Sequence, residues 1–221
     1  MRETDVEALI DAATPLVLRL PQQERRRLSY LVDLFLENAE FEGADFFNVT
    51  PRIAVTIATH ACFLLLRRRV DRFGGRLHIV IHGGGIVDKP DTMGTYSRTG
   101  RIDLNWDDVL RGGFIDNDGC NVVMHEFAHR LDGPLFLDGM PSLHSLNCHL
   151  TWKRVISEEY EAFCADVEQG EPTPLNPYAA THIAEFFACA TEALFEQPDM
   201  LRSNYPRLFE RLVHFYGDGI A

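Results

Sequence analysis

Basic residues are scarce in this chain. It has 21 Lys and Arg against 33 Asp and Glu in 221 residues, a formal net charge of −12. A nucleic-acid-binding surface needs a basic patch or stripe, so this deficit argues against that class. The deficit is also uneven. Residues 1–111 carry 15 basic and 16 acidic side chains, whereas residues 112–221 carry 6 and 17. Most of those carboxylates read as a solvated surface. The sharper expectation is that a few of them do chemistry. Cysteine is limited to Cys62, Cys120, Cys148, Cys164 and Cys189. The odd number, with no C-x-x-C spacing, argues against a disulfide framework and a Cys-rich zinc ribbon, and fits a reducing cytoplasm. Long apolar runs are missing too. The most apolar stretch, residues 53–66, is too short to span a bilayer and contains Thr56, Thr59 and His60, so it reads as a buried helix. No apolar region follows the polar start of the chain, so no signal peptide is expected and the location reads as cytoplasmic. There is no internal repeat, low-complexity tract or long linker. What is left is an ordinary globular composition, 46% hydrophobic, enough to bury one domain's core.

Periodicity places the elements. After Pro21, residues Leu28, Leu31, Val32, Phe35 and Leu36 recur at helical spacing and make one apolar face. Thr50-Pro51 opens the apolar helix, expected over about 52–68. The β-branched run 77–82, closed by Gly83-Gly84-Gly85, reads as a strand. Residues 101–106 alternate and read as a second strand, with Asn105 and Trp106 closing it and Trp106 packed on the sheet. Helices are expected near 120–131, 150–168, 178–196 and 204–216, with Pro172, Pro174 and Pro177 before the third. Helices outnumber strands, which gives α+β, mostly helical, with one small sheet. The whole chain, 1–221, reads as a single domain: N-terminal helices over 1–72, a small sheet over 77–106, and the helices 120–216.

The chemistry lies in residues 121–132. There His125-Glu126-Phe127-Ala128-His129 is an H-E-x-x-H sequence. Residues i and i+4 share a helix face, so both imidazoles can reach one metal ion at about 2.0–2.1 Å. Glu126 is one step round the helix and can point at a metal-bound water. Zinc lowers the pKa of that water, and a carboxylate can take its proton as it attacks a carbonyl. Asn121 stands where an N-cap belongs. A catalytic zinc site usually takes a third protein ligand. A third histidine six residues after His129 is absent, because Leu135 stands there. A carboxylate from a later helix is the other common solution, and Glu158, Glu159, Glu161, Glu185, Glu192 and Glu196 are available. Glu185 has strongly apolar surroundings in the sequence, where an unpaired carboxylate is costly and a metal would satisfy it. Glu158 to Glu161 read as a solvated run. Glu192, seven residues after Glu185, lies near the same face.

Taken together, these residues resemble the Mlc titration factor A (MtfA) family of zinc metallopeptidases. The likeness covers nearly the whole chain. It includes Leu20-Pro21 with Glu24, Arg25 and Leu28, then Ile102-Asp103-Leu104-Asn105-Trp106, and the run from Asn121 through His125 to Asp132. It continues in Gly139-Met140-Pro141, Tyr178-Ala179-Ala180, Ala184-Glu185-Phe186-Phe187-Ala188, Tyr205-Pro206 and Phe215-Tyr216. The resemblance implies a zincin-like domain with one Zn2+ per chain, held by His125, His129 and Glu185 in a gluzincin-like set. It implies Glu126 as general base and Tyr178 as hydrogen-bond donor to the oxyanion. Asp132, three residues after His129, is a carboxylate that can hold the other N–H of a metal-bound histidine. The sequence departs from the family pattern at Ile183, where proline is common, and at Gly83-Gly84-Gly85. That glycine run is no phosphate loop, since no G-K-[S/T] follows.

The leading expectation is therefore a zinc-dependent peptidase, aminopeptidase-like, acting on peptide or protein substrates. The alternative implied by the resemblance is a regulatory protein that sequesters a Mlc-like transcriptional repressor of sugar uptake. Neither reading involves nucleic acid directly or a membrane. Among the other histidines, His60 reads as a satisfied core residue. His78 and His82 read as sheet-edge residues rather than a second metal site, and His182 as bordering the cleft.

Overall fold

The computed structural model describes residues 3–68, 73–84, 94–96, 101–132, 139, 141 and 146–217. Gly85, Leu135, Met140 and His144 lie outside them. Ten α-helices and one four-stranded sheet occupy the described residues, so the fold is mostly helical α+β. The chain divides into two compact units. One comprises residues 1–116 with 121–127, and the other 117–120 with 128–221.

The first unit begins with α1 (Glu3–Asp11), α2 (Pro15–Arg19) and α3 (Gln22–Asn38). Leu28, Leu31, Val32 and Phe35 form the buried stripe of α3, as the spacing predicts. Helix α4 (Pro51–Phe63) starts at Thr50, whose hydroxyl accepts from the Ile53 N–H while Pro51 takes the first turn. Ile53 and every residue from Val55 to Phe63 are buried, so α4 is a core helix on all sides. It ends at Phe63, five residues before the expected limit, and Leu64, Leu65 and Leu66 remain buried in the turns that follow.

The sheet has strand order β1-β2-β4-β3, from β1 (Ala39–Gly43), β2 (Leu77–His82), β3 (Gly94–Tyr96) and β4 (Arg101–Asn105). β1, β2 and β4 run parallel, and β3 pairs antiparallel with β4. The register aligns Phe41 with Ile79 and Ile79 with Ile102, which makes one apolar face. It also aligns Glu40 with His78 and His78 with Arg101, which makes a charged face. The two histidines are therefore not edge residues, because β2 lies between β1 and β4. His78 Nε2 is 2.9 Å from Glu42 and His82 Nε2 is 3.0 Å from Asp103, which Arg101 also grips. Gly83 is covered by the Phe47 ring, and a Cβ there would sit 2.4 Å from Phe47 Cδ2.

Strand β4 ends one residue earlier than expected. The Asn105 side chain accepts from the Asp107 N–H at 3.0 Å and starts α5 (Trp106–Phe114), so Trp106 opens a helix instead of closing a strand. Helix α6 (Val122–Asp132) then enters the first unit through Phe127. That ring packs 5.4 Å from Phe35 and 4.7 Å from Phe73, centroid to centroid. Truncating a buried Phe typically costs about 3–5 kcal/mol, so this aromatic knot is a firm anchor for the helix.

The second unit holds the rest of α6, then α7 (Leu146–Glu168), a 3-10 turn (Pro177–Thr181), α8 (Ile183–Glu196), α9 (Pro198–Asn204) and α10 (Pro206–Tyr216). The helix expected over 204–216 begins at Pro206, preceded by the separate α9. Helix α8 is buried almost throughout. Phe187 and Phe215 pack against Trp152, and the Thr191 hydroxyl meets Tyr216 Oη at 3.0 Å. Among the described residues, no helix is long and apolar enough to cross a membrane.

Candidate metal centre

The N-terminus of α6 is capped by Asn121. The Asn121 side-chain oxygen accepts from the Met124 N–H at 3.1 Å, and its backbone carbonyl accepts from His125 N–H at 2.9 Å. This confirms Asn121 as the cap. Its amide group donates to His60 Nδ1 at 2.9 Å and to the Gly112 carbonyl at 3.2 Å. His60 Nε2 lies 3.3 Å from the Ala13 carbonyl, so the ring is satisfied at both nitrogens. Complete burial holds its pKa down to about 4, against the backbone bond to Ala13 that favours the charged form. The residues just before the helix are clasped by Glu196, one oxygen of which accepts from the Gly119 and Cys120 N–H groups at 3.1 Å each. Gly119 has φ +74°, which only glycine adopts without strain. Burial pushes the Cys120 thiol up to about 12, helped by the Glu192, Asp118 and Glu196 carboxylates.

Neutral His60 makes acid stability a measurable consequence. The unfolded imidazole protonates near 6.5 and the folded one only near 4. The unfolded chain therefore binds the extra proton first as pH falls. The contribution is complete above about 6.5 and is lost progressively down to about 4, an amount of about 3 kcal/mol. Urea titrations at stepped pH are expected to show this slope in the wild type and its loss in His60→Gln. Equal slopes would refute the assignment.

His125 and His129 stand one turn apart on this unbroken helix. Met124, Phe127 and Ala128 are fully buried, and Phe127 stands on the side of the helix opposite the two histidines. Glu126 is 3% exposed. Helix α8 is capped by His182, whose Nδ1 accepts from the Ala184 N–H at 3.1 Å, and presents Glu185 in its first turn. Glu185 Oε2 comes 3.3 Å from His129 Nε2. Ligand atoms of His125, His129 and Glu185 all lie within 4.8 Å of one another. Two donors at about 2.1 Å from a tetrahedral zinc stand about 3.4 Å apart, so the His129–Glu185 spacing fits such an ion. Two imidazoles with one carboxylate are also a donor set that zinc favours.

The other glutamates named from sequence are engaged elsewhere or lie differently. Glu158 and Glu159 pair with Arg207, Glu161 is exposed on α7, and Glu196 holds the loop before α6. Glu192 is buried and forms a second grouping with His125 and Cys189. The part Cys189 plays there was not signalled by its sequence, where it reads as one more isolated thiol. Asp132 is buried and accepts from the Gly139 N–H at 2.9 Å, while the Gly139 carbonyl accepts from Trp152 Nε1. Tyr178 lies 40% exposed on the 3-10 turn before α8. That turn is fixed by the Asn176 side chain, which accepts from Tyr178 N–H, and by Tyr160 Oη, which donates to the Ala180 carbonyl.

The chain is similar to known proteins over most of its length. The chain is 30% identical to an uncharacterized protein of Synechocystis, over 95% of this chain and 82% of the other. It is 27% identical to Mlc titration factor A of Klebsiella pneumoniae and to that of Salmonella agona, each over 92% of this chain and 83% of the relative. A family model described as glucose-regulated metallo-peptidase M90 matches residues 2–217. With that match running from end to end, and with imidazole and carboxylate donors gathered at α6, the chain belongs to the M90 metallopeptidase family.

Proposed function

We propose that this metallopeptidase uses one zinc ion, held by His125, His129 and Glu185, and acts as an aminopeptidase on peptide substrates. The carrying observation is the 3.3 Å approach of Glu185 to His129, beside a histidine one helical turn away. When bound, zinc supplies a Lewis acid that polarises the scissile carbonyl and lowers the pKa of water. Glu126 takes the proton of the attacking water and hands it to the leaving amine. Tyr178, on its exposed turn, donates a hydrogen bond to the oxygen on which negative charge develops. Asp132, which accepts from the Gly139 N–H, is in this reading the carboxylate that holds the other N–H of His129. The aminopeptidase type and the cytoplasmic location rest on the sequence reading and the family resemblance.

A second reading is favoured by the relatives' name, Mlc titration factor A. In it the chain also binds a Mlc-like transcriptional repressor. One experiment addresses both. Chelation is expected to abolish hydrolysis of amino-acid p-nitroanilides, and one equivalent of zinc to restore it. Full activity in the metal-free protein would sink the peptidase mechanism. The chelated protein is then offered a purified Mlc-like repressor, and capture at unchanged affinity supports a binding role independent of the metal.

A further inference from the structure

We propose that His60 is a positioning residue for the metal helix. Through Asn121 it sets the height and rotation of the turn that carries His125 and Glu126. The inference rests on the metal-centre reading above and adds a residue remote from the donors.

Ser, Thr, Asp and Asn all cap helices well, because each offers a side-chain oxygen to the first turn. Only Asn also offers two N–H donors. Here all three functions are used: the oxygen on Met124, one N–H on His60 Nδ1, the other on the Gly112 carbonyl. Turning the amide over would set its oxygen against two acceptors and its NH2 against a donor. Asn121 therefore has one orientation. Its backbone carbonyl bonds the His125 N–H, so the cap and the first metal-binding residue are linked directly.

His60 decides whether that orientation is available. Nδ1 must be bare to accept from Asn121, which puts the ring proton on Nε2, and Nε2 meets the Ala13 carbonyl. The relay thus ties the start of α6 to α4, to the turn after α1 and to α5, and its four residues all lie within the first unit. It is closed to water. His60 is 0% and Asn121 1% exposed. Gly113 lies against the His60–Ala13 bond, and a Cβ there would stand 2.9 Å from the Ala13 oxygen and 3.4 Å from His60 Nε2. A polar relay in so dry a place is strongly directional, since a lost partner cannot be replaced by solvent. The site needs the helix cap. It does not need a histidine 61 positions earlier unless the cap's orientation matters.

His60→Leu, His60→Gln and Asn121→Asp test this, each compared with wild type under conditions where circular dichroism shows a folded protein. Zinc affinity is measured by chelator competition, the Co2+ absorption spectrum reports ligand geometry, and hydrogen exchange reports the Met124 and His125 amides. His60→Leu is expected to weaken zinc about 10- to 100-fold, to alter the Co2+ bands, and to speed exchange at those two amides selectively. His60→Gln is expected to restore most of each, because its oxygen accepts and its N–H donates. Asn121→Asp keeps the cap but cannot donate, and is expected to behave like His60→Leu. It decides the matter should His60→Leu not fold. Unchanged zinc affinity and Co2+ bands with only a lower melting temperature, or uniformly faster exchange, would overturn the proposal. A wild type that binds neither ion would instead overturn the metal-centre reading, and the exchange of the Met124 and His125 amides then decides the role of His60.

Discussion

Glu126→Gln is expected to bind zinc as wild type does and to hydrolyse peptides roughly 10²- to 10⁴-fold more slowly in kcat, the usual span for loss of a general base. The change is nearly isosteric. Glu126 is 3% exposed and stands between the two histidines on α6, so shape at the site is kept while the proton acceptor is lost. Metal content by mass spectrometry and steady-state kinetics on one preparation give both readings. An active Glu126→Gln protein would remove Glu126 from the reaction. A protein that also loses its zinc would reassign it as a ligand or structural support.

Glu185→Ala is expected to lower zinc affinity by at least about 100-fold, more than loss of an outer carboxylate normally does. Its oxygen is the one 3.3 Å from His129. Glu192→Ala is the proper comparison, because Glu192 and Cys189 form the other grouping around His125. Zinc is expected to survive at one equivalent in Glu192→Ala. The reverse result, with Glu185→Ala binding normally and Glu192→Ala not, would move the metal to the second grouping. Neither substitution touches the aromatic anchor at Phe127, so folding of α6 is not the variable under test.

Much of this was legible in the sequence where the signal is local. The apolar stripe of α3, the Thr50-Pro51 start of α4, the β-branched run of β2 and the H-E-x-x-H helix each depend on neighbours within a few turns, and each element formed. Strand β1 was not legible. Ala39 to Gly43 follows α3 without a breaker and gains its identity only from β2, nearly forty residues later. Trp106 departs from expectation for a related reason: the alternation runs on past Asn105, whose capping bond ends the strand. At the site, spacing alone put the two histidines on one face of one helix. Glu185 stood out among six carboxylates by its apolar surroundings and was named as a ligand only through the family likeness, because its approach to His129 spans 56 residues and leaves no local pattern. His60 read correctly as a satisfied core histidine. Its link to Asn121 was invisible, since no pattern in a chain marks a bond across 61 residues.

Helix α8 also acts as a fixed-length ruler. Glu185 in its first turn faces His129, and Glu196 at its last residue clasps Gly119 and Cys120. Eleven residues separate them, about 16 Å of helix at 1.5 Å per residue. One inserted residue would rotate one carboxylate by about 100° relative to the other, so only one could keep its post. Insertions and deletions along this lineage should therefore gather outside α8, leaving the count from Glu185 to Glu196 unaltered.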